Sequence, residues 1–350
     1  MTHINLINYR WPAEWEPHES TWVAWPVSEQ TWPGIFEKIP PAFAQFVAEI
    51  ARFELVNILA GGDGVAENAR ELVDAACDAA AATFDVRFVD IPVNDSWCRD
   101  HGPIFLNRRA DVTDGPSQVI VDWDYNAWGG KYPPWDLDAK VARKVAHRLD
   151  VPTVRPGVVL EGGAIEGNGA GKLMTTESCL LNPNRNPSVN RDAMEALLRK
   201  HMQVDSIIWL PGHGIIGDDT DGHIDQVARF ADENTVLLAA PFDDDAPEAA
   251  DLRANRNALE LADIGCRIVD LKMPSPKFQQ EHRLPACYCN FYIANGAIIV
   301  PTFDDSADDE AMQVLQAAFP QHEIVGVSAI DLVWGLGAFH CMTQQQPAFS

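Results

Sequence analysis

Four residues of catalytic type recur at a near-constant interval along this 350-residue chain. Asp100 lies in Trp97-Cys98-Arg99-Asp100-His101-Gly102, and Glu161 opens Glu161-Gly162-Gly163. His223 lies in Asp221-Gly222-His223-Ile224-Asp225, and Cys341 ends Gly337-Ala338-Phe339-His340-Cys341. The intervals are 61 (100 to 161), 62 (161 to 223) and 118 (223 to 341), the last being twice 59. If related structural units carry these residues, equivalent points meet near an axis and the four converge in one pocket. With Asp225, the set offers carboxylates, one histidine and one cysteine, the groups that attack on a guanidinium carbon requires. Carboxylates accept the planar N–H donors in paired hydrogen bonds and fix the plane. A thiolate adds to the central carbon, favoured by a nearby cation. A histidine carries protons to the leaving ammonia and from the incoming water. Such chemistry needs no metal and no organic cofactor.

Each residue alone has a plainer reading. Cys341 could be a buried, inert thiol. His223 and Asp225 could be a metal pair, although no further ligands have convincing spacing. Asp100 could pair with Arg99 at the surface, and Glu161-Gly162-Gly163 could be only a turn. The shared interval favours the functional reading.

The elements that must position them follow the same interval. Two apolar runs around a turn, then a helix, then a short strand, recur four times. The clearest copy has runs Cys289–Ala294 and Ala297–Thr302 around the hairpin signal Asn295-Gly296, a helix Asp308–Phe319 and a strand Glu323–Val327. A second has Glu161–Glu166, Lys172–Thr176, helix Val189–His201 and strand Ser206–Leu210. A third has Ile224–Phe230, Val236–Ala240, helix Glu248–Ile264 and strand Arg267–Leu271. A looser fourth has Gly102–Leu106, Gln118–Asp122, helix Leu137–Leu149 and strand Pro152–Arg155. Units of this length at a fixed period predict an α/β repeat architecture closed around an axis.

Composition narrows the partners. Apolar residues make up 47% and charged residues 22%, as in an ordinary folded chain. No linker or composition break divides it, so residues 1–350 read as a single catalytic domain. No apolar run reaches the length that spans a bilayer, and the start of the chain has no signal pattern, so a cytoplasmic location is expected. The net charge of −25 argues against nucleic acid and suits a cationic ligand. A homo-oligomer is compatible with the sequence. Seven cysteines, an odd number, argue against a disulfide framework.

The chain resembles the agmatine deiminase family, within the guanidino-group-modifying superfamily that includes arginine and peptidylarginine deiminases. The matching stretches are Trp11–Glu19, Asn94–Trp97, Arg99-Asp100, Leu160–Gly163, Asn182–Pro187, Asp219–Asp225 and Cys341–Gln345. The resemblance implies a five-bladed α/β propeller of strand-strand-helix-strand units. It implies Cys341 as nucleophile and His223 as general acid/base. It implies that Asp100 and Asp225 grip the guanidinium, that Glu161 binds substrate nitrogens and assists proton movement, and that Trp97 lines the pocket. The chain departs from the family pattern at Gly335-Leu336-Gly337-Ala338-Phe339, often Gly-Gly-Gly-Asn-Ile, and at Asp221 and Gln226, both often Asn.

These features imply hydrolysis of agmatine to N-carbamoylputrescine and ammonia through a covalent thiouronium adduct. The rivals are a deiminase of arginine or peptidyl arginine, an amidinotransferase sharing the nucleophile, and a binding protein on the same scaffold. A substrate carboxylate needs a fixed cation. Of the arginines near the motifs, Arg99 would point away on a strand, Arg185 sits in a loop and Arg229 in a strand. Asp218, Asp219 and Asp221 would instead receive the terminal ammonium of agmatine.

Overall fold

In the computed structural model, which describes residues 4–349, all four expected units form. In the first, Ile104–Arg108 pairs antiparallel with Gln118–Val121, the helix Val141–Leu149 crosses over, and Thr153–Val154 returns parallel. Tyr9–Arg10 adds an antiparallel edge strand. The helix buries Val141, Ala142, Val145 and Ala146, one apolar stripe, against the sheet. The second unit runs Ile165–Gly167, Lys172–Thr176, helix Arg191–Met202, Ser206–Leu210. The third runs Ala228–Asp232, Thr235–Ala240, helix Ala249–Leu261, Arg267–Lys272. The fourth runs Tyr292–Ala294, Ala297–Thr302, helix Asp308–Ala318, Glu323–Ser328. A short turn makes the antiparallel pair in the second, third and fourth units and the longer loop 109–117 makes it in the first, while in each a helix makes the parallel crossover. At Asn295-Gly296 the turn depends on Gly296, whose φ is +79°.

The fourth helix starts at Asp308 as expected, whereas the other three helices and all four first strands start later than the sequence expectation. Helix Arg191–Met202 begins two residues later than expected because the Asn190 side chain caps it, accepting from the Ala193 N–H at 3.0 Å. The first strands start later than expected because each is preceded by a helical turn. These turns are Cys98–His101, Gly162–Ala164, Ile224–Val227 and Tyr288–Asn290. An apolar run alone does not separate such a turn from a strand.

A further sheet joins the two ends of the chain. Thr343–Pro347 pairs antiparallel with His18–Ala24, which continues through the helix Ile39–Ile50 to Val56–Leu59, and then through Val65–Ala80 to Val86–Val89. The apolar period does not reveal this sheet, because one of its strands is Thr-Gln-Gln-Gln-Pro. Phe339 stacks on Phe46 with ring centroids 4.3 Å apart, which pins the segment before Cys341 to the helix Ile39–Ile50. A two-stranded ribbon, Phe278–Gln279 with His282–Arg283, stands outside the units. All seven cysteines are unpaired.

The terminal strand is buried throughout and bonded by its side chains: Gln345 accepts from Arg99 at 2.8 Å and Gln346 from Trp22 at 3.0 Å. Deleting residues 343–350 should therefore lower the melting temperature by about 10 °C or more, or prevent soluble folding. A truncated chain melting like the full one would show that the joined ends contribute little.

Candidate active site

The helical turns carry the polar residues out of the apolar runs and toward one another. Asp100 comes from Cys98–His101, and Glu161 immediately precedes Gly162–Ala164. His223 precedes and Asp225 belongs to Ile224–Val227. Cys341 lies two residues before Thr343–Pro347. Asp100 Oδ1 lies 3.6 Å from His223 Nδ1, and Cys341 Sγ lies 3.4 Å from Asp225 Oδ2. Gly163 sits where the groups meet. A Cβ there would lie 2.7 Å from His223 Nδ1, 2.8 Å from Asp100 Oδ1 and 2.9 Å from Asp225 Oδ2. Its N–H donates to Asp100 Oδ1 at 3.0 Å. Glu161 is close to His223 and Cys179, with ligand atoms all within 4.8 Å of one another. Glu161, His223 and Asp225 are fully buried, and Glu161 Oε2, Asp225 Oδ1 and both His223 nitrogens have no protein partner. Buried polar atoms left open are costly unless something else satisfies them.

The turn Tyr288–Asn290 of the fourth unit brings a residue that the sequence reading missed. Asn290 Nδ2 donates to Cys341 Sγ at 3.1 Å. It occupies the vacant place in the period between His223 and Cys341. The ribbon Phe278–Arg283 lengthens the chain before it and displaces it from the midpoint.

The charges are unevenly settled. Burial pushes the Asp100 carboxyl up to about 6, against the pull of His223. Burial also acts on Asp225, but the His340 hydrogen bond and the His340, His223 and Arg229 charges hold it below the usual carboxylate range. Burial pulls His223 toward its neutral form, but Asp100, Cys179 and Asp225 outweigh it and raise its pKa well above that of ordinary imidazole. The Cys341 thiol is pushed well up by burial, Asp225 and Asp100, while Asn290 and the turn at Ala338 pull it down.

Behind the site runs a buried ionic network. His340 Nδ1 is 2.8 Å from Asp225 Oδ2, and its Nε2 is 2.9 Å from Glu14 Oε1. Glu14 pairs with Arg99 at 2.9 Å and Arg229 at 2.5 Å, and Arg229 pairs with Glu166 at 3.0 Å. Arg185 pairs with Glu161 at 2.8 Å and also with Asp221. All three arginines near the motifs are thus engaged away from the opening. Arg99 does point away, as expected, but from a helical turn rather than a strand.

The opening is a cavity of about 550 Å³ that ends on Asp100 and Cys341. Trp97 forms part of its wall, held by Trp32 at a centroid distance of 5.7 Å. Gly337 is needed beside it, since a Cβ there would lie 2.4 Å from the Trp97 ring. Trp128 also lines the cavity and donates to Asp100 Oδ2 at 3.0 Å. Asp95, Asp138 and Asp219 complete an acidic wall, and among the described residues no lysine or arginine lines it. Burial pushes Asp95 and Asp138 each up to about 7. Of the acids expected to face a substrate tail, only Asp219 does so. Asp221 is held by Arg185, Asn184 and Lys131, the last at 2.9 Å, and Asp218 accepts from Thr220, Gly222 and Gln226 within its own loop. The Asp221 φ of +67° suits Asp as well as Asn. Leu336, at φ +72° on the cavity wall, is a bulky residue in the left-handed region, at a local cost of about 1–2 kcal/mol.

Two residue sets have metal-ligand character: Glu161, Cys179 and His223, and Glu14, Glu166 and His340. The first gives His223 neighbours that its sequence spacing did not reveal. Guanidinium groups already neutralise both sets, Arg185 the first and Arg99 with Arg229 the second, so a divalent cation would have to displace an arginine.

Comparison with known proteins agrees with this geometry. The profile of the Porphyromonas-type peptidyl-arginine deiminase family matches residues 10–347. An agmatine deiminase of Pseudomonas aeruginosa (strain UCBPP-PA14) is 40% identical over 97% of this chain and 96% of its own. The solved agmatine deiminase of Enterococcus faecalis superposes with a TM-score of 0.88 at 29% identity, covering 100% of this chain and 99% of that one. A C. jejuni agmatine deiminase superposes at 0.84 with 30% identity, covering 97% and 96%. The mixed α/β fold is theirs, and the chain belongs to the Porphyromonas-type peptidyl-arginine deiminase family, as a relative of its agmatine deiminases.

Proposed function

We propose that this chain hydrolyses agmatine to N-carbamoylputrescine and ammonia, with Cys341 as nucleophile and His223 as general acid and base. The observation that carries the reading is the acidic cavity ending on Cys341, with buried carboxylates and His223 behind it and, among the described residues, no lysine or arginine on its wall. Asp100 and Asp225 accept the guanidinium N–H groups. Glu161 accepts from the substrate nitrogens and assists proton movement, and the Trp97 ring lies along the substrate.

In the first half of the reaction the thiolate of Cys341 adds to the guanidinium carbon. Protonated His223 gives its proton to one nitrogen, the C–N bond breaks, and ammonia leaves a thiouronium adduct. In the second half neutral His223 takes a proton from water, whose oxygen adds to the same carbon. The C–S bond then breaks as the hydroxyl of the adduct gives up its proton by way of Glu161 to solvent, releasing the neutral ureido product and the thiolate, with His223 again protonated.

The four-fold recurrence, with the end-joining sheet as a fifth copy, supports a five-bladed propeller in one domain spanning 1–350, its blades meeting at this pocket. The net charge of −25 supports a small cationic substrate rather than nucleic acid. No helix among the described residues is long and apolar enough to cross a membrane, which suits cytoplasmic work.

Arginine would set its α-carboxylate against Asp95, Asp138 and Asp219, with no lysine or arginine among the described lining residues to pair it. A panel of agmatine, arginine, peptidyl arginine and other guanidines, read as ammonia release, should give agmatine a kcat/KM at least about tenfold above the others. A smaller margin removes the substrate assignment, and release only with an acceptor amine points to amidino transfer. Cys341→Ser should abolish turnover, because an alcohol ionises far less readily than a thiol. A haloacetamidine should label Cys341 ahead of the six other cysteines; substantial activity in the serine variant would end the nucleophile assignment. Asp100 must be ionised to grip the cation, so kcat/KM should fall as pH drops through about 6, where its carboxyl takes up a proton. A profile flat from pH 7 to 5 would remove Asp100 from that role.

A further inference from the structure

The segment that leads into Cys341 carries a bulky residue where the backbone favours glycine. Leu336 closes the helical turn Leu332–Gly335 with φ +72° and ψ +16°, and its N–H donates to the Val333 carbonyl at 2.9 Å. Glycine adopts this left-handed conformation freely, whereas a bulky side chain enters it only at a cost. The residues on either side cannot carry a side chain in its place. A Cβ on Gly335 would lie 2.7 Å from the Trp32 ring. One on Gly337 would lie 2.4 Å from the Trp97 ring and 3.1 Å from Cys341 Cβ. Residues 335–337 are thus packed against two tryptophans, whose ring centroids are 5.7 Å apart.

Leu336 is partly buried, packs on the same apolar core as Trp32 and Trp97, and lines the cavity that ends on Cys341. A strained residue persists where its surroundings hold it, and such residues cluster at ligand sites. Glycine would serve the backbone at this position, so what leucine adds is its side chain. Beyond packing, that side chain puts apolar bulk on the cavity wall close to the nucleophile. The carboxylates Asp95, Asp138 and Asp219 suit the charge of a substrate, whereas Leu336, Trp97 and Leu284 suit its methylene groups. An unbranched tail can pass along such a wall. A substituent on the tail adds volume that the leucine can yield to only by moving a turn fixed at Gly335 and Gly337.

We propose that Leu336 is a specificity-determining residue, whose side chain narrows the cavity to guanidines with an unbranched, terminally cationic tail and turns away those branched at the end carbon. The proposal rests on agmatine being the substrate, and it adds a steric filter to the electrostatic one.

Argininamide isolates the steric part. It is agmatine with a carboxamide on the carbon that bears the ammonium, so in its protonated form it has the same two positive charges and no carboxylate. Read as ammonia release, the native chain should show a kcat/KM for argininamide at least about tenfold below that for agmatine. Leu336→Gly should bring the two substrates within about threefold of each other, mainly by lowering KM for argininamide. Its melting temperature should stay within a few degrees of the native chain, because glycine accepts the conformation. Leu336→Ala keeps a Cβ in that conformation but loses the bulk, and should shift the ratio the same way by at least about threefold. If both variants keep the native ratio within about twofold, or only the glycine variant changes it, Leu336 serves packing or the backbone alone and the proposal is overturned. A native chain that uses the two substrates equally well overturns it too. If the native chain releases no ammonia from agmatine, the agmatine reading fails before any variant is compared, and this proposal falls with it.

Discussion

Asp225 is the group on which the site depends. One of its oxygens faces both the Cys341 sulfur and the His340 ring, while the other has no hydrogen-bond partner in the protein. A carboxylate with no exposure is tenable only if charge and hydrogen bonds replace its water. His340 supplies the hydrogen bond, and Glu14 on the far side of His340 ties that ring to Arg99 and Arg229. Burial and the charges of Arg229 and Arg99 outweigh the two facing carboxylates and hold the His340 pKa below that of ordinary imidazole, so the ring serves these carboxylates as a hydrogen-bonding bridge. Removing one member would strand its partner's charge, so the members of this network are mutually obligatory.

The fold was legible where burial imposes a period. Four strand-strand-helix units were readable because each helix shows an apolar stripe and each hairpin a turn signal, as at Asn295-Gly296. The fifth sheet was not. Its Gln344, Gln345 and Gln346 are buried by hydrogen bonding rather than by apolar packing, and its partner strand His18–Ala24 lies at the other end of the chain. The turns Gly162–Ala164, Ile224–Val227 and Tyr288–Asn290 were also hidden, since their buried residues read wholly or partly as the strand that follows.

The candidate site was legible as residue types at an interval. Cys341, His223, Asp100, Glu161 and Asp225 do lie together. What spacing could not convey was which side chains face solvent and which face each other. Arg185 reads as a loop arginine and lies buried on Glu161. Glu14 stands in a matching stretch, yet nothing local shows that it reaches His340. Asn290 lacked a distinctive type, and the ribbon inserted before it broke the interval that would have marked its place.

The arrangement holds an opposition that the reaction itself would relieve. Burial and the carboxylates that suit a guanidinium, Asp225 and Asp100, together favour the protonated thiol of Cys341 over a thiolate beside them. A cation seated between them reverses the sign of the local field at the sulfur. The thiol would then lose its proton most readily when the electrophilic carbon is in place. The same logic extends outward. Burial raises the pKa of Asp95 and Asp138, and a second positive charge beside them would favour their ionised forms. A dication of the right length would settle both ends of the cavity at once. A zwitterion would settle one end and add to the repulsion at the other. Substrate preference and nucleophile activation would in this way have one electrostatic source, the excess of buried carboxylates around a cavity wall that bears no lysine or arginine.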